Sequence, residues 1–92
     1  NKELIAYAQS FVSFVFPKIQ EVREIILFGS VAREEAEKDS DIDLFFDIDE
    51  KNEDKIKKIV EQELERFYGS KIAEIWLLKG IKNSIKIEIG ED

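Results

Sequence analysis

The 92-residue chain contains no cysteine and no histidine. The first absence excludes disulfide frameworks, thiolate metal sites and cysteine nucleophiles. The second excludes a Ser-His-Asp triad, a histidine general base and zinc held by imidazole. Any metal must then be held through oxygen, which favours hard cations such as Mg²⁺ or Mn²⁺. No apolar run approaches the length of about 18 residues that reads as a membrane span, and no signal-peptide pattern is present. Cytoplasmic residence is therefore the expectation. Methionine is absent as well and the chain opens on Asn1, so the native start is expected to lie outside it. Arginine is scarce, while isoleucine, lysine and glutamate are abundant, a balance that leans thermophilic.

What is present describes one globular domain over residues 1–92, long enough to bury a core without staples. Hydrophobic residues make up 43% and charged residues 38%, a globular rather than a disordered composition. The 21 acids outnumber the 14 bases, for a net charge of −7, which argues against non-specific binding of duplex nucleic acid. The imbalance is local. Residues 29–50 hold nine acids and two bases, while the rest of the chain is balanced.

The order of elements reads helix, strand, helix, strand, helix, strand, strand. Leu4, Ala8, Phe11, Val12 and Val15 share one helical face, and Pro17 stops that helix. Ile25–Phe28 reads as a buried strand ending at Gly29, and Ser30–Glu37 as a short helix with Ser30 a candidate cap. Asp41–Ile48 alternates as a strand. Ile56, Ile59, Val60, Leu64 and Phe67 mark a second long helix that stops at Gly69, with Lys57 and Glu61 paired on its wet face. Lys71–Leu78 and Ile85–Ile89 are predicted as strands of an antiparallel hairpin. The expected fold is α/β (α+β), a mixed sheet of about four strands with helices packed on it. Gly90-Glu91-Asp92 follows a strand directly, so a further C-terminal region is expected beyond the chain.

The segment from Gly29 to Asp47 carries the chemistry. Asp41 and Asp43 are two apart on a strand and face the same way, roughly 6–7 Å apart at Cα. Carboxylates held so close repel unless a cation or solvent intervenes, and oxygen donors so placed suit Mg²⁺ with phosphates and waters completing its shell. The bland alternative is the wet face of an amphipathic strand, although aspartate is disfavoured in strands. Gly29 lets the backbone pass close to a ligand, and the helix start behind it suits a phosphate. An ordinary strand-to-helix turn capped by Ser30 is the plainer account. Arg33 reaches either a triphosphate or Glu37, and Ser40 caps or turns ahead of the strand.

Gly29-Ser30, ten residues, then Asp41-Ile42-Asp43-Leu44 resembles the minimal nucleotidyltransferase domains of the DNA polymerase beta superfamily, the small prokaryotic type in particular. That resemblance implies transfer of a nucleoside monophosphate from a triphosphate, ATP foremost, to an acceptor hydroxyl. Carried over by position, Gly29, Ser30, Arg33 and Ser40 would serve the nucleotide, and Asp41, Asp43 and a third acid would bind Mg²⁺ or Mn²⁺ and act in catalysis. Glu88, in Ile87-Glu88-Ile89, fits that third place, and Glu74 is a second candidate. Each has a plain alternative as a solvent-facing strand residue. Many relatives carry glycine after the arginine, where Glu34 stands here. The resemblance also implies a helical partner protein or a homodimer to complete the acceptor site. A nucleotide-binding or protein-interaction module without turnover is the competing expectation.

Overall fold

An apolar stripe at helical spacing opens the chain. Leu4, Tyr7, Ala8, Phe11 and Val15 are buried along one side of helix α1 (Lys2–Val15). Pro17 ends that helix by turning Phe16–Lys18 into a 3₁₀ turn. The computed structural model describes residues 2–92. The remaining elements are β1 (Glu24–Phe28), α2 (Gly29–Ala32), β2 (Ile42–Asp47), α3 (Glu53–Tyr68), α4 (Lys71–Leu78) and β3 (Ile85–Gly90), with a 3₁₀ turn at Glu50–Asn52.

The expected mixed α/β architecture is present, with three strands in place of about four. The sheet order is β1-β2-β3, with β1 antiparallel and β3 parallel to the central β2. Ile42, Leu44 and Phe46 of β2 are buried, while Asp43, Phe45 and Asp47 are half-buried on the other face. Ile85 is buried on β3 on the same side as Ile42, and Ile25, Leu27, Ile87 and Ile89 pack against that core. Helices α1 and α3 cover this side. Phe67 of α3 is fully buried, with Phe11 and Phe14 ring centroids at 5.3 Å and 5.4 Å and Tyr7 at 5.7 Å. Burial pushes the Tyr7 phenol up to about 12, with Tyr68 adding to the effect, so the ring stays neutral in the core.

Four local expectations are corrected. Lys71–Leu78 is helix α4, not a strand: the Ser70 hydroxyl accepts from the Ala73 N–H at 3.2 Å as its N-cap. The helix ends at Leu78, and Gly80 just beyond it, with φ of +83°, lets the Ile81 N–H reach the Trp76 carbonyl at 3.0 Å. With α4 in the crossover, β3 returns parallel to β2 instead of forming a hairpin. The helix expected over Ser30–Glu37 is a single turn, Gly29–Ala32, halted by Glu34 at a left-handed φ of +59°. Lys57 pairs with Glu53, at 2.9 Å, and not with Glu61.

The far end of β2 is tied down by one carboxylate. Asp47 accepts from the Asp92 N–H at 2.9 Å and from Arg23 Nη2 at 3.0 Å, and Arg23 also reaches the Ile48 carbonyl at 2.8 Å. The Asp92 amide, with Arg23 behind it, holds the Asp47 carboxyl below its ordinary value. A depressed carboxylate stabilises the fold above the unfolded-state pKa and loses that contribution as pH falls through the folded one. Asp47→Asn should therefore lower the thermal midpoint by a constant amount at neutral pH. In a pH series of melting curves, the gap to wild type should close as pH drops below about 3.9, the ordinary aspartate value.

Candidate functional site

β1 delivers the chain to Gly29, and the antiparallel register sets Phe28 opposite Asp43. Gly29 turns there with φ of +76°. A Cβ added at this position would lie 3.1 Å from Asp43 Cγ and 3.3 Å from its Cβ, and would overlap Asp43 Oδ2 outright. Glycine is thus required twice, for the left-handed backbone and for the space that the carboxylate fills.

The other predicted residues surround this contact. Ser30 lies within the single turn of α2, which has no side-chain cap, so its hydroxyl is not the cap that the plainer sequence account supplies. Arg33 is exposed and its Nε pairs with Glu35 at 3.3 Å, not with Glu37. Ser40 closes a turn, accepting from the Glu37 N–H at 2.8 Å. Asp41 is exposed and stands immediately before the first residue of β2, and Asp43 is the second residue of that strand.

Glu88 is on β3, paired with Phe45, so it shares the face of Asp43 but sits one step further along. Lys86, and not an acid, stands directly across from Asp43. Glu74 lies in the first turn of α4, exposed, and so loses the strand setting that made it a candidate. Among the described residues, no group of three or more Asp, Glu, His or Cys converges closely enough to hold a metal ion. The two aspartates stand at the start of the central strand, and the third carboxylate is set apart from them.

The uncovered face of the sheet has its own character. Ile26, Phe28, Phe45, Glu88 and Asp92 line a shallow depression of about 240 Å³ beside Asp43. Glu34, Glu35, Glu37, Asp39 and Asp41 are all exposed on the segment leading into β2. A surface so acidic attracts cations and repels polyanions. The places of two residues here escaped the sequence reading. Lys86 is read on the face of Glu88 from the sequence, but its place opposite Asp43 shows only once the parallel register is known. Asn83 reads as an ordinary turn residue, yet its Nδ2 donates to the carbonyls of Lys38 at 2.8 Å and Ser40 at 2.7 Å.

Two substitutions test the backbone account. Gly29→Ala should cost about 2–4 kcal/mol in denaturant unfolding, through the left-handed penalty plus overpacking. A loss under about 1 kcal/mol, less than the left-handed penalty alone, would contradict the close approach. Glu34→Gly should instead gain about 0.5–1 kcal/mol, the left-handed cost relieved less the added chain entropy of glycine.

Comparison with known proteins places the chain in a family. A family model described as a nucleotidyltransferase domain matches residues 10–91. No curated protein and no solved structure compared with the chain matches it. No helix among the described residues is long and apolar enough to cross a membrane. The matched span takes in all three strands, the Gly29-Ser30 turn, both aspartates and Glu88, and on that match the chain belongs to the nucleotidyltransferase domain family.

Proposed function

We propose that the chain is a metal-dependent nucleotidyltransferase, moving a nucleoside monophosphate from a triphosphate, ATP foremost, to an acceptor hydroxyl. The observation that carries this reading is the seat of Asp43, whose carboxylate is lodged against the Gly29 backbone at the end of β1. Asp41 and Asp43 would hold Mg²⁺ or Mn²⁺. The donor set fits such a cation, being two hard carboxylates, one just before β2 and one at its second residue, in a chain without thiol or imidazole. When bound, the cation supplies charge neutralisation at the triphosphate and at the departing pyrophosphate.

The chain's own residues have definite tasks in this scheme. The Ser30 hydroxyl, in the turn that follows Gly29, donates to a phosphate oxygen. Arg33 leaves its exposed partner Glu35, a pair worth little in water, to reach the triphosphate. Ser40 accepts one hydrogen bond and retains its own proton to donate. The acceptor lies over the depression between Phe28, Phe45 and Glu88, and the Glu88 carboxylate takes the proton of its hydroxyl as that oxygen attacks. That oxygen bonds to the α-phosphorus as the bridging P–O bond to the β-phosphate breaks and pyrophosphate leaves. Transfer of this kind depends chiefly on positioning and charge stabilisation.

One observation favours the competing reading, a nucleotide-binding module without turnover. Glu88 stands a step away from Asp43, and Lys86 occupies the place opposite. A partner belongs to this reading as well. α4 leaves Ile75 57% and Leu78 82% exposed, which supports a helical partner protein or a second copy seated there.

ATP labelled at the α-phosphate separates these readings. The label should pass to an acceptor or to water in the presence of Mg²⁺, while label at the γ-phosphate should leave as pyrophosphate. Outer-shell partners of a metal cost ten- to a hundredfold when removed, so Asp43→Asn, which removes a ligand, should reduce turnover by about a hundredfold or more. Bound ATP with no release of α-label would make the chain a binding module.

A further inference from the structure

We infer that Asn83 is a positioning residue that fixes where Asp41 stands; this rests on the nucleotidyltransferase reading above. Asp41 closes the irregular segment that joins α2 to β2. Within that segment the Ser40 N–H bonds to the Glu37 carbonyl at 3.1 Å, and the Glu37 N–H bonds to the Ser40 hydroxyl at 2.8 Å. These bonds shape the turn but do not attach it to the sheet. Glu34, Glu35, Glu37 and Asp39 crowd the same segment, all exposed, and their mutual repulsion favours spreading it.

Two attachments oppose that spreading, and both come from the connection between α4 and β3. The Asn83 amide nitrogen donates to the carbonyls of Lys38 and Ser40, at 2.8 Å and 2.7 Å. The Ile42 N–H donates to the Ser84 carbonyl at 2.9 Å. Asp41 is thereby held between a fixed Ser40 and a fixed Ile42. The amide orientation is set by its partners, because only its nitrogen can serve two carbonyls. Aspartate at this position would turn oxygens toward both carbonyls, and serine could reach only one of them. Asn83 touches neither nucleotide nor cation in this scheme and acts on the site through the backbone of Asp41.

The test is Mn²⁺ binding, followed by electron paramagnetic resonance of the free ion, for the whole chain and its variants. Asn83→Ala should weaken Mn²⁺ by about tenfold, as removal of a residue supporting a metal ligand does. ATP binding without divalent metal, to which Asp41 contributes no cation contact, should change by a smaller factor than Mn²⁺ binding does. Asn83→Ser, which retains one donor and disturbs the fold less, should show a smaller loss in the same direction. Asp47→Asn loosens the opposite end of β2 and should leave Mn²⁺ affinity unchanged, which separates positioning from general destabilisation. Wild-type Mn²⁺ affinity in both Asn83 variants would overturn the proposal, as would an equal loss in Asp47→Asn. If Asp41→Asn also binds Mn²⁺ like wild type, the metal reading itself fails and the proposal with it.

Discussion

The carboxylate of Asp43 fills the space that any side chain at residue 29 would need, and the rest of the site is arranged around that contact. It requires β1 and β2 to be antiparallel with Phe28 opposite Asp43, so that the turn after β1 falls beside the acid. It requires a left-handed glycine, which sends the chain into the single turn of α2 that holds Ser30. A cation held by Asp43 would therefore lie close to the Gly29 backbone, where the proposed function places the phosphates. One short distance links strand register, glycine and proposed chemistry.

The sheet divides these tasks by side-chain parity. Every second residue of β2 is buried under α1 and α3, which fixes the register against slipping, since a one-residue shift would put aspartates in the core. The intervening residues are left to the open face, where acids border an apolar strip. The helices secure the strand from one side, and the proposed chemistry is confined to the other. The ends of β2 are secured separately: Asp47 with Arg23 and Asp92 at one, Asn83 with Lys38 and Ser40 at the other.

Much of this was legible in the residues because it is local. The stripe of α1, the alternation of β2 and the spacing from Gly29-Ser30 to Asp41 and Asp43 all lie within windows where periodicity decides. α4 was not legible. Lys71–Leu78 is short and rich in isoleucine and leucine, and a run of that length fits either period; only the Ser70 cap distinguishes it. Once it is taken as a strand, β3 becomes its hairpin partner, although in the fold β3 crosses over to lie parallel to β2. The overlong α2 has a similar cause. Alanine and glutamate favour helix one residue at a time, but clustered acids and a left-handed Glu34 do not. The relation of Glu88 and Lys86 to Asp43 depends on that parallel register and leaves no trace in the sequence alone.

Calorimetric titration of ATP in the presence and absence of Mg²⁺ tests the central claim most directly. It compares the wild-type chain with the variant carrying Asp41→Asn and Asp43→Asn together. Asp43 seated against Gly29 as part of a cation site predicts ATP binding that strengthens with Mg²⁺ in the wild type and loses that dependence in the variant. Equal binding by the two proteins, with or without Mg²⁺, would contradict it.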